Sequence, residues 1–93
     1  MSKIRAKVKV EGRVHGVYYR SYTKDIAENV NVTGWVKNLS DGSVEMVLEG
    51  DEDDVREVIR WSYQGPPAAK VVNVTVNWEN YSGEFEDFKV KYW

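Results

Sequence analysis

The chain has 93 residues, 42% hydrophobic and 30% charged, with a formal net charge of −2 and no cysteine. This size predicts one domain over residues 1–93 with a modest core, supplemented here by four Trp and six Tyr. The composition excludes disulfides, thiolate zinc sites and a cysteine nucleophile; a single histidine, His15, excludes a multi-histidine metal site, and the slight acidity argues against a nucleic-acid binder.

Residues 3–14 alternate as a half-buried strand. Ile4, Ala6, Val8, Val10, Gly12 and Val14 share one face, and Lys3, Arg5, Lys7, Lys9, Glu11 and Arg13 the other. The basic stripe on the outer face reads as solvated charge. From Ser21 the period becomes helical, with Tyr22, Ile26, Ala27 and Val30 predicting an amphipathic helix that ends at a left-handed Asn31. Thr33 to Leu39 predicts a second strand, Ser40-Asp41-Gly42-Ser43 a hairpin turn, and S-V-E-M-V-L-E a third strand with Val44, Met46 and Leu48 on one side. Gly50 is expected to break that strand.

The acids Asp51 to Asp54 suit a helix start better than a metal site: Asp51 as cap, the others offsetting the helix dipole. Val55, Val58, Ile59 and Ser62 form the helical stripe, and Gly65-Pro66-Pro67 stops it. Val72, Val74, Val76 and Trp78 predict one face of a fourth strand, Asn80-Tyr81-Ser82-Gly83 a turn, and Phe88, Val90 and Tyr92 a short last strand. The predicted architecture is α+β: a ferredoxin-like βαββαβ sandwich, with a mostly antiparallel sheet, two helices on one face and an extra C-terminal strand. No apolar run reaches membrane-spanning length and no signal peptide precedes Met1. A cytosolic monomer without membrane or nucleic-acid partners is expected, and the Asn-x-Ser/Thr triplets at Asn31, Asn38, Asn73 and Asn80 are then coincidence.

In a split βαβ unit the first two strands run parallel with the third between them, so their C-terminal ends share one sheet edge with the start of the first helix. This should bring the loop Val14–Tyr19, Arg20 and Asn38 together across eighteen positions of sequence. Gly12 and Gly16 would allow tight turning and close ligand approach. Successive loop N–H groups and the helix N-terminus favour an anion, and Arg20 offers a fork matching phosphate oxygens. Taken locally, a glycine-rich turn with a surface ion pair is the commoner meaning of such a pattern. Asn38, at a strand end, often means an Asn bonding its own backbone; beside a held phosphate it would orient a water.

V-E-G-R-V-H-G-V-Y-Y-R, residues 10–20, resembles the acylphosphatase motif V-x-G-x-V-Q-G-V-x-F-R. The similarity continues through Ala27–Asn38, Asp41–Glu45, Glu49-Gly50 and Gly65-Pro66-Pro67 with Val71. The resemblance implies one acylphosphatase-like domain that hydrolyses acyl phosphates to a carboxylate and inorganic phosphate. It implies that Arg20 holds the phosphate, Asn38 positions the attacking water, and the backbone of His15, Gly16, Val17, Tyr18 and Tyr19 supplies donors, with no metal and no cofactor. Inorganic phosphate would be both product and inhibitor. The chemistry is consistent with so sparse a site. A departing carboxylate, with a pKa of about 4, leaves without a strong general acid, and in-line phosphoryl transfer needs mainly positioning and charge stabilisation.

Three residues depart from the family pattern: His15 for Gln, Tyr19 for Phe and Asn31 for Gly. His15 is expected to replace the hydrogen bonding of Gln; the alternative is a titration that modulates turnover. Two rivals share the architecture. An RNA-recognition domain would carry stacking aromatics in its third strand, which here is acidic. A non-catalytic phosphate sensor would keep the cradle and lose the chemistry.

Overall fold

A computed structural model describes residues 2–92. Chain order is β1 (Lys3–Arg13), α1 (Tyr19–Asn29), β2 (Thr33–Asn38), β3 (Val44–Asp51), α2 (Glu52–Ser62), β4 (Lys70–Glu79) and β5 (Phe88–Lys91). The strands form one sheet in the order β4-β1-β3-β2-β5. Three pairings are antiparallel, and β5 joins β2 in parallel at the edge. This is the expected ferredoxin-like arrangement, with the extra strand extending the sheet beyond β2.

Alternation along the strands builds the core. Ala6, Val8 and Val10 of β1, Val36 of β2, and Val44, Met46 and Leu48 of β3 are fully buried beneath the helices. α2 lies over β1 and β3 and contributes Val55, Val58, Ile59 and Ser62, the stripe expected for it. α1 lies over β2 and β5. Of the expected line, Ala27 is buried and Ile26 and Val30 pack half-buried on the core, but Tyr22 is 43% exposed and Tyr19 and Thr23 take the inward positions. The helix begins two residues earlier than the period suggests, so Tyr19 takes the inward position. Its ring tilts against Trp61 at 5.3 Å and its hydroxyl donates to the Ser62 carbonyl at 2.7 Å. Burial pushes this phenol well above its ordinary pKa.

Other expectations need correction. Gly50 does not break β3: it pairs with Ile4, and the strand continues to Asp51. Asp51 stands at the cap position of α2, but its carboxylate pairs with Lys3 at 3.2 Å, and Ser2 supplies the carbonyl that accepts the Glu52 N–H. Gly12 lies within β1 rather than at a turn. Register shifts between Glu11 and Gly12 against β4, and a Cβ at Gly12 would lie 2.2 Å from the Lys70 carbonyl oxygen. The resulting bulge reverses the parity of β4, so Val71 packs on the core and Val72 is 74% exposed. Asn31 is left-handed (φ 60°), as expected after α1.

The sheet face away from the helices holds the β1 cations, and four of the five have a carboxylate partner. Lys3 pairs with Asp51, Lys7 with Glu45 and Lys9 with Asp41, while Arg5 meets Glu49, Glu79 and Glu84. From Lys3 to Lys9 the basic stripe is thus neutralised within the chain. Among the described residues no helix is long and apolar enough to cross a membrane.

Candidate active site

Asn38 closes β2 opposite Val44, which also pairs with Val10 across β3. With strands about 4.8 Å apart, Asn38 therefore lies roughly 10 Å from Val10, at the same level of the sheet. Just beyond Val10 the chain finishes β1, passes through residues 14–18 and enters α1. The two segments meet at a cavity of about 410 Å³ lined by Gly16, Tyr18, Arg20 and Asn38, with Val14 and Val90 among its apolar walls. Arg20 and Asn38 thus face one space, although each comes from a different element.

The entry to α1 is shaped for a negative guest. Gly16 (φ 71°) and Tyr18 (φ 66°) are both left-handed. For Tyr18, the residue that caps α1, this conformation costs on the order of 1–2 kcal/mol. No side chain caps the helix and its first turn carries no acid, unlike the first turn of α2 with Glu52, Asp53 and Asp54. The positive end of the α1 dipole is left without a carboxylate. Among the described residues, no acceptor takes the backbone N–H groups of residues 15–21. These donors are the anion-binding inventory of a helix N-terminus and the loop before it.

Arg20 is held from β5. Its Nη1 donates to the Lys91 carbonyl at 3.2 Å and its guanidinium carbon lies 4.6 Å from the Tyr92 ring centroid. One of the five N–H donors and one face of the plane are engaged, which fixes the aim of the fork. Asn38 shows the opposite. Its Oδ1 is buried and has no hydrogen-bond partner. A buried acceptor left unpaired costs about 1–3 kcal/mol, so ordinary turn bonding does not explain this side chain. The turn after it is satisfied by other groups: the Leu39 N–H donates to the Ser43 carbonyl, and the Ser43 N–H and hydroxyl donate to Asp41.

His15 ties the two halves together. Its Nε2 lies 2.8 Å from the Ser43 carbonyl, and since a carbonyl only accepts, Nε2 carries the proton. The loop before α1 is thereby linked to the turn that follows Asn38. Of the other loop residues, Val17 is buried in the core and Tyr19 points its side chain into the helix layer, so both can offer the cavity their backbone. Tyr18 turns its ring outward and is 76% exposed. Val90, Lys91 and Tyr92 were not foreseen as part of this site. The only signal for them was the alternation of Phe88, Val90 and Tyr92, which says nothing about which strand they join.

A family model described as Acylphosphatase matches residues 6–90. An acylphosphatase of Pelotomaculum thermopropionicum is 53% identical over 92 residues, 99% of this chain and 100% of that protein. One from Pyrobaculum islandicum is 50% identical over 91 residues, 97% of this chain and 96% of that protein. Among solved structures, an acylphosphatase from Coxiella burnetii has a TM-score of 0.91 at 38% identity, covering 96% of this chain and 93% of the other. The acylphosphatase of Bacillus subtilis reaches 0.92 at 30% identity, covering 96% and 99%. A family match from β1 into β5, joined to half-identical relatives of the same length and neighbours of the same fold, means that this chain belongs to the acylphosphatase family of enzymes.

Proposed function

We propose that this enzyme hydrolyses the carboxyl–phosphate bond of acyl phosphates by in-line attack of water, with Arg20 and the N–H groups of residues 15–19 holding the phosphoryl oxygens. Asn38 accepts a hydrogen bond from the attacking water through Oδ1. The oxygen–phosphorus bond forms as the bond to the acyl oxygen breaks. Its electron pair leaves on the carboxylate, and the proton of the attacking water passes to a phosphate oxygen or to solvent. The protein contributes orientation and charge stabilisation; the stable leaving group removes the need for a general acid.

The observation that carries this reading is the Asn38 amide oxygen, buried and unpaired at the cavity that Arg20 also lines. A phosphate sensor would need the cradle but not that acceptor. The paired β1 cations weigh against an RNA-binding sheet face. The reading includes residues 1–93 as one domain, inorganic phosphate as product and inhibitor, and a monomer as working unit, since Arg20 and Asn38 come from one chain. A cytosolic setting belongs to it on the sequence alone. The test is hydrolysis of benzoyl phosphate with EDTA present. Turnover that survives EDTA and falls with added inorganic phosphate is expected; no turnover, or turnover that EDTA abolishes, would overturn it.

A further inference from the structure

The cavity is larger and more apolar than a phosphate requires. At about 410 Å³ it has the size of sites that enclose a whole small molecule, commonly about 300–1,000 Å³. Arg20 and the loop amides account for its polar side. Half-buried Val90 adds apolar surface to its wall, and the rings of Tyr18 and Tyr92 also border it, 76% and 75% exposed. Large aromatic side chains normally bury much of their surface. Here two of them border the same cavity and leave most of theirs uncovered.

Neither placement is incidental to the chain path. Tyr18 is left-handed, a conformation that disfavours a bulky side chain, and a glycine there would remove the cost. Among the described residues its hydroxyl has no hydrogen-bond partner, so no internal bond explains the ring. Tyr92 has one face against the Arg20 guanidinium, which puts its ring beside the group proposed to hold the phosphate. An acyl group bonded to a phosphate held there would share the cavity that these two rings line.

We infer that Tyr18 and Tyr92, with Val90 beside them, form an acyl-binding rim, which makes the enzyme selective for acyl phosphates with aromatic or bulky apolar acyl groups. This rests on the acyl phosphate reading above. The ring of Tyr18 contributes contact area to the acyl group, while its backbone serves the phosphate. Loss of the ring should therefore penalise a large acyl group far more than a small one.

The test compares kcat/KM for benzoyl and acetyl phosphate in the wild type, Tyr18→Ala and Tyr18→Phe, with the inhibition constant of inorganic phosphate measured alongside. Dividing each variant's benzoyl-to-acetyl ratio by that of the wild type cancels the intrinsic reactivity of the two mixed anhydrides. The expected result is a ratio at least tenfold lower in Tyr18→Ala, mainly through the KM for benzoyl phosphate, and within twofold of wild type in Tyr18→Phe. An unchanged ratio in Tyr18→Ala would overturn the acyl rim while leaving the hydrolase reading intact. So would an equal loss on both substrates with a matching rise in the phosphate inhibition constant, which would mean a distorted loop. A wild type inert towards both substrates would overturn both readings.

Discussion

Asn38 and Arg20 face the same cavity but in opposite states of satisfaction, and this separates their roles. Arg20 is braced by the Lys91 carbonyl and the Tyr92 ring, as suits a group that must hold a charge in a fixed direction. Asn38 keeps a buried carboxamide oxygen unpaired, which has a cost in the folded protein and a use only when something donates to it. Asn38→Ala should therefore lower kcat on the order of 10²–10³-fold, the scale for removing one preorganised hydrogen-bonding group. Affinity for inorganic phosphate should change little, and the melting temperature should stay level or rise, because an unsatisfied acceptor is removed. Steady-state kinetics, phosphate inhibition and thermal unfolding of this single variant check all three. A marked fall in melting temperature would mean that Asn38 is a structural residue whose partner forms only in solution. His15 acts at the same scale without facing the reacting atoms in any contact seen here. Its bond to the Ser43 carbonyl is the one an amide N–H of Gln could make.

Much of the element order was legible because alternation and helical period are local signals. Two of the readings that failed did so where the inward-facing phase shifts by one residue. The bulge opposite Gly12 sends Val71 inward and Val72 outward, and an earlier start to α1 replaces Tyr22 with Tyr19. Neither shift leaves a mark in composition. The meeting of Arg20 and Asn38 was legible because it follows from strand order alone, whereas the β5 wall was not, since nothing local says which edge a last strand joins. Glu49 illustrates the same limit. Alternation puts it on the face away from the helices, yet it is fully buried there. It accepts from the Ser82 N–H at 2.8 Å, the Ser82 hydroxyl at 2.9 Å, the Gly83 N–H at 3.1 Å and Arg5 at 3.2 Å. These partners clip the loop between β4 and β5 to the C-terminal part of β3, and that loop delivers the strand that braces Arg20.

Burial by itself would raise the Glu49 carboxyl, but the donors from Ser82, Arg5 and Gly83 outweigh it and hold it below its ordinary value of 4.5. A folded-state value below the unfolded one gives stability that is present above about pH 4.5 and is lost as pH falls through the folded value. Glu49→Gln should cost about 3 kcal/mol at pH 7, the scale for breaking a buried, charge-assisted network. The gap between variant and wild type should narrow as pH is lowered from 4.5 towards 3, because the wild type then loses the charge that the variant never had. Urea titrations at several pH values measure the gap. A gap that stays constant over that range would mean that the network stabilises by packing alone.

At the scale of the whole molecule, the site exists only when the sheet is assembled. Arg20 enters from α1, Asn38 from β2, and the brace from β5, and no short stretch of the chain contains all three. An unfolded chain therefore offers phosphate nothing comparable, and the proposed phosphate binding should appear as stability. At a phosphate concentration ten times its dissociation constant the linkage amounts to about 1.4 kcal/mol, or a rise in melting temperature of about 6–11 °C for a domain of this size. Exclusion of phosphate from the protein surface also stabilises, without any site. Comparison with chloride at matched ionic strength is thus insufficient, and the informative controls are variants. Arg20→Ala should retain only the small common shift, while Asn38→Ala should retain the full one, since on the proposed mechanism it loses the group that orients water and keeps those that hold phosphate. Equal shifts in all three proteins would place phosphate outside this cavity. A shift lost in Asn38→Ala but kept in Arg20→Ala would reverse the two roles, with the amide holding the anion and the guanidinium serving the attack.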